Sequence, residues 1–158
     1  MKKRWLAVAL ASVMALSLGL SGCGKAKDDV IKVGWIGSLS GDQAVWGQCE
    51  SNTVKMVFED LNKNGGILGK KVEVVTYDTR GDGTEAVNAV KRLTGQDKVV
   101  AIIGPNASGQ AIPISPVLEE MKVADIATVA TNPKVTVVDG KLKPYNFRVC
   151  FIDPYQGA

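Results

Sequence analysis

Residues 98–110, KVVAIIGPNASGQ, pass from an apolar run through a Gly-Pro turn into the start of a helix. KVVAIIG, residues 98–104, is short, unbroken and rich in β-branched side chains, and Gly and Pro close it. It reads as a buried strand. Beyond Ser108 the spacing predicts a helix from about Gly109 to Met121, with Pro113 in its first turn and Pro116 as a kink. A strand without polar alternation is one buried on both faces, the condition of a parallel sheet. Free N–H groups at the start of the helix, with the Ser108 hydroxyl beside them, favour an anion. A serine there also caps a helix without any ligand. Both readings stay open at this point.

The same grammar extends in both directions. VIKVGWIGS (residues 30–38) reads as a first strand, and Val54, Val57, Phe58 and Leu61 then recur at helical spacing until the Gly-rich stop NKNGGILGK (residues 62–70). KKVEVVTYD (residues 70–78) is a second strand. Asp82 to Glu85 offers a capping box, ahead of a helical face of Ala86, Val87, Val90 and Leu93. ADIATVA (residues 124–130) is a fourth strand and NFRVC (residues 146–150) a fifth. Strands alternating with helices imply right-handed βαβ units. The expected fold is therefore α/β, a parallel sheet with helices on both faces.

Several glycine-rich or acidic stretches imitate ligand motifs and fail on spacing. Gly34, Gly37 and Gly41 do not form G-x-G-x-x-G. GGILGKK (residues 65–71) follows a helix and precedes a strand, the reverse of a P-loop, and Lys71 stands where a magnesium-binding hydroxyl belongs. DTRGDGTE (residues 78–85) begins like a calcium loop, but Arg80 occupies its third ligand position. There is no histidine, so neither a Ser-His-Asp arrangement nor a His metal site can form. No metal, cofactor or enzymatic activity is expected.

In an open parallel sheet a ligand sits beyond the carboxyl ends of the strands, where strand order reverses. With the first strand central, SLSGDQAVWG (residues 38–47) and GPNASGQ (residues 104–110) flank that point. Trp46, at the start of the first helix, can roof an apolar ligand or cover the helix end. Thr131 follows the fourth strand on the same edge, where it can also be a turn residue ahead of Asn-Pro. Trp46, Ser108 and Thr131, from three loops on one edge, favour a binding cleft.

The N-terminus is of another kind. Lys2, Lys3 and Arg4 precede an apolar stretch from Trp5 to Leu20, shorter than the roughly twenty residues a membrane-spanning helix needs. Leu20-Ser21-Gly22-Cys23 resembles the bacterial lipobox, which makes Cys23 the expected site of lipid attachment. The expected division is a signal peptide at 1–22, a lipid-anchored tether at 23–29 and one lobe at 30–158. Without the three basic residues of the signal, Lys plus Arg falls from 19 to 16, equal to the 16 acidic residues. The mature part is formally neutral, and no basic cluster points to nucleic acid. Cys49 and Cys150 remain. An extracytoplasmic setting permits a disulfide between them, and two separate buried thiols is the preferred expectation.

Together the lipobox, IKVGWIGSLSGDQAVWG, FEDLNKNGGILGKKVEVVTYD, IIGPNASGQAIPISPVLEE and VATNPKVT…FRVCFIDPYQG resemble the branched-chain amino-acid-binding family. These are the type I solute-binding proteins of ABC importers. The resemblance implies most of the first lobe of a two-lobed clamshell, and hence a fragment of a longer protein. It implies that Ser108 holds a ligand carboxylate beside the Asn106 backbone. Thr131 would contact the amino-acid head group, with the Val129 carbonyl receiving the ammonium and Ala130 between them. Trp46 stands where an aromatic side chain packs on the ligand. The implied partners are a small amino acid, an ABC permease and, through the lipid, the cell membrane; a sensor component of the same fold is the alternative. Well-known amino-acid-binding members of the family carry a disulfide near the loops after strands two and three, where this chain has Thr79 to Gly83 and Ala107 and no cysteine.

Overall fold

Strand β1, Ile31–Gly37, lies between β2, Val72–Asp78, and β3, Ala101–Ile103; β4, Ala124–Ala127, and β7, Asn146–Arg148, extend the sheet on the β3 side. Every pairing in this five-stranded sheet is parallel. The computed structural model describes Val30–Gln156. The signal peptide, Cys23 and the tether expected from the sequence lie outside the described residues.

The sheet alternates by face. Ile36, Ile102, Val75 and Tyr77 point to one side and pack with α2, Gly83–Arg92, and α3, Ser108–Met121. Leu93, Ile102, Ile114 and Leu118 are fully buried there, each contributing about 2 kcal/mol. On the opposite side α1, Ala44–Lys63, packs against β1 and β2, with Gly47 and Ser51 its buried residues. Helices therefore cover both faces, as the pattern of strands and helices required. Asn62 pins the end of α1 to the sheet, its side chain donating to the Val72 carbonyl at 2.8 Å and accepting from the Val72 amide at 2.7 Å.

The boundaries differ from expectation where the backbone has other commitments. The third strand was expected from Lys98, but α2 runs on through a π-helical turn, Leu93–Asp97, that Lys98 ends at φ 59°. The Val99 amide still returns to the Leu93 carbonyl, so the strand is only Ala101–Ile103. The fourth strand stops at Ala127, because from Thr128 the chain bends toward α1. Pro113 sits in the second turn of α3, which begins at Ser108. Asp82 caps α2 through the Thr84 and Glu85 amides, but its own amide donates to the Thr79 carbonyl. Half of the capping box forms. Val57 does not share the buried face of α1 and is 52% exposed. Cys49 is exposed and Cys150 half-buried, and both are free thiols. The expectation of buried thiols is wrong for Cys49, which lies off the inward face of α1. Two further short strands, β5 (Val137–Val138) and β6 (Lys141–Leu142), pair as a hairpin that the sequence did not announce.

Candidate functional site: the cleft at the carboxyl edge

β1 pairs with β2 on one side and β3 on the other, so strand order reverses between β1 and β3. The loops leaving these two strands form the rim of a pocket of about 240 Å³, lined by Gln43, Trp46, Asn106, Ala107 and Val129. Two glycines make this approach possible. Gly104 has φ +99°, and a Cβ on it would stand 2.1 Å from the Ile36 carbonyl oxygen. A Cβ on Gly47 would stand 2.0 Å from the Ser38 carbonyl oxygen, so α1 packs directly on the backbone of the loop after β1.

Ser108 is the first residue of α3, and Ala107 at the N-cap offers no side-chain bond. The simple capping reading of Ser108 therefore does not hold. Its Oγ accepts from the Asn132 amide at 3.2 Å, and the hydroxyl proton has no acceptor among the described residues. The amides of Ser108 and Gly109 find no acceptor among the described residues, as expected of the first turn of a helix. The edge thus presents a cluster of free donors at the positive end of α3.

The loop after β4 presents the opposite polarity. The Ala127 carbonyl accepts from the Val149 amide, the Thr131 carbonyl from the Asp153 amide, and the Ala130 and Asn132 carbonyls from Arg148. The carbonyls of Thr128 and Val129 have no donor among the described residues, and Val129 is 51% exposed on the pocket wall. Thr131 is half-buried and set back from the pocket lining. Ala130 is buried with Ala111, Ala127 and Val135, and its carbonyl is taken by Arg148. Trp46 and Asn106 face the pocket; Ser108 and Thr131 flank it from behind, held together through Asn132.

Three features of this edge escaped the sequence reading. Gln110 is fully buried under the loops, donating to Ser38 Oγ at 3.1 Å and Gln43 Oε1 at 3.3 Å and accepting from Thr79 Oγ1. It ties the exits of β1 and β2 to α3. Glu50, one turn beyond Trp46, accepts from Thr128 Oγ1 at 2.9 Å while its buried Oε2 has no partner among the described residues. Burial raises its carboxyl above the usual range, against the lowering effect of Thr128. Arg148 is the third. At the loop after β1, burial alone would raise the Asp78 carboxyl, but hydrogen bonds from Ser40 and the Arg80 and Leu39 amides outweigh it and hold the group below its usual range. Only the i to i+4 relation of Trp46 to Glu50 was visible as spacing.

Comparison with known proteins agrees with this geometry. Residues 30–158 match the periplasmic binding protein family. An amino acid binding protein of Pseudomonas aeruginosa is 35% identical over 99% of this chain and 39% of its own length. The branched-chain amino acid transporter substrate binding protein LivJ of Streptococcus pneumoniae, solved with isoleucine, is 31% identical with a TM-score of 0.73, over 78% of this chain and 34% of that one. An ABC transporter solute binding protein of Rhodopseudomonas palustris, solved with 3,4-dihydroxybenzoic acid, is 27% identical with a TM-score of 0.69, over 78% of this chain and 32% of that one. The chain thus spans about two fifths or less of the length of these relatives. With the sheet order, the cleft and the sequence match in agreement, the chain belongs to the periplasmic binding protein family and forms part of one lobe of its type I fold.

Proposed function

We propose that the chain is the first lobe of a two-lobed, lipid-anchored receptor. It captures an α-amino acid, of the branched aliphatic kind, outside the cytoplasm and delivers it to an ABC permease. The observation that supports this most is the polarity of the cleft. Uncommitted donors at the start of α3 suit a carboxylate, and the uncommitted Val129 carbonyl across the edge suits an ammonium. Trp46, 70% exposed beside the pocket, offers an apolar surface for the side chain. The lobe performs no bond chemistry on its ligand. It supplies half of a head-group cradle, and a second lobe would close over it and exclude water.

Calorimetry on the two-lobed protein tests this reading with leucine, isoleucine, valine, a polar amino acid and 4-hydroxybenzoate. Aliphatic amino acids should bind and 4-hydroxybenzoate should not. If only the aromatic acid binds, the ammonium half of the reading fails. The anchor is tested separately. The wild type should partition into detergent and carry a diacylated N-terminal Cys23, and Cys23→Ser should lose both properties.

A further inference from the structure

Arg148, at the end of β7, donates to the Ala130 carbonyl at 3.0 Å, to the Asn132 and Pro133 carbonyls at 3.0 and 3.2 Å, and to Thr136 Oγ1 at 2.8 Å. All four acceptors are neutral, and no carboxylate pairs with the guanidinium among the described residues. The charge of this half-buried guanidinium is answered only by dipoles, three of carbonyls and one of a hydroxyl.

The direction of those dipoles matters. A trans peptide is planar, with its C=O and N–H pointing opposite ways, and the one cis bond among the described residues is Gly104–Pro105. Drawing the Ala130 carbonyl toward Arg148 therefore turns the Thr131 amide away from it. That amide has no acceptor among the described residues. The next peptide is fixed in the same manner, with the Asp153 amide holding the Thr131 carbonyl and the Asn132 amide donating to Ser108 Oγ.

We propose that Arg148 is the positioning residue of this edge: it holds the loop from Ala130 to Thr136 so that the Thr131 amide joins the donors of Ser108, making the edge selective for a carboxylate. The part concerning ligand rests on the function proposed above; the part concerning the loop does not. Arg148 touches no ligand in this account and acts through the peptide that it orients. A lysine keeps the charge but has neither the planar fork nor the reach to serve several acceptors at once.

The test uses the two-lobed protein and the variants Arg148→Lys and Arg148→Met. Amide exchange without ligand should quicken by about tenfold or more across 130–136 in both variants, with β1 and β3 unchanged. Affinity for leucine should fall about tenfold or more in Arg148→Met, with partial recovery in Arg148→Lys, while leucinamide loses much less. Should Arg148→Met fail to fold, Thr136→Val removes one acceptor alone and should quicken the same amides to a smaller degree. Unchanged exchange at 130–136 would overturn the positioning role. Equal losses for acid and amide would overturn the carboxylate selectivity. A wild type that binds neither ligand overturns the proposed function, and the exchange measurement still decides the role of Arg148.

Discussion

The Asn132 amide donates to Ser108 Oγ at 3.2 Å, joining the loop after β4 to the first turn of α3. The bond gives the serine oxygen a donor, and the hydroxyl proton has no acceptor among the described residues. It also couples the loop after β4 to the loop that leads into α3. A disturbance of either loop should therefore be felt at the other.

Trp46 should matter to the ligand and hardly at all to the fold. It is 70% exposed, and substitutions at such positions shift stability by only about 0.5 kcal/mol. Trp46→Ala in the two-lobed protein should leave the melting temperature nearly unchanged. Binding of leucine should weaken by about 1.5–3 kcal/mol, the scale for burying one large apolar surface. Calorimetry paired with thermal denaturation measures both, and loss of stability without loss of affinity would assign Trp46 to the fold.

Gly47→Ala is a case in which helix propensity gives the wrong sign. Within a helix, Gly to Ala usually stabilises by about 0.5–1 kcal/mol. Here the added Cβ would stand 2.0 Å from the Ser38 carbonyl oxygen, which is backbone. The helix or the loop has to move, so the variant should be destabilised by at least about 2 kcal/mol. Urea denaturation of the variant and the wild type measures this, and a more stable variant would mean that α1 does not rest on that loop.

Asp125 should make the protein less stable as pH rises. It is fully buried on β4, neither carboxyl oxygen has a well-formed hydrogen bond among the described residues, and burial raises its carboxyl well above the usual range against the opposing effect of Asn146. The contribution of a group raised in this way is complete below the ordinary carboxylate pKa and is lost as pH climbs through the folded value. Asp125→Asn should be more stable than the wild type at pH 7, by about 1 kcal/mol or more, with the difference shrinking toward pH 4 as the aspartate takes up its proton. Melting curves of both proteins across that range test the sign, and a constant difference would show that Asp125 does not titrate with folding.

Much of this architecture could be read from local pattern. Unbroken apolar strands, Gly stops and an acidic cap specify a parallel sheet, and the switch point then locates the cleft. Trp46, Asn106 and Val129 lie on the pocket wall because they sit on loops leaving the right edge. Less legible were the residues that act across long separations. Gln110 reaches Ser38 and Thr79 through backbone geometry absent from any local window. Arg148 resembled a strand residue, since nothing near it in sequence names the carbonyls it serves. Strand ends were misplaced where a competing turn took residues, as the π-helical turn did ahead of β3. Cys49 shows the limit of composition: a cysteine's usual preference for the interior gave way to its position off the inward face of α1.

Ser108 is the most direct test of the account. In the two-lobed protein, Ser108→Ala should weaken leucine by about 1.5–3 kcal/mol, the scale of a hydrogen bond to a charged group, and should weaken leucinamide much less. Ser115, buried further along α3 at 7% exposure, is the control, and Ser115→Ala should change affinity by less than about 0.5 kcal/mol. Calorimetry of the two variants with both ligands gives the answer. A selective loss for the acid at Ser108 alone is the predicted result. Equal losses for acid and amide, or the same response at both serines, would contradict a carboxylate held at the head of α3.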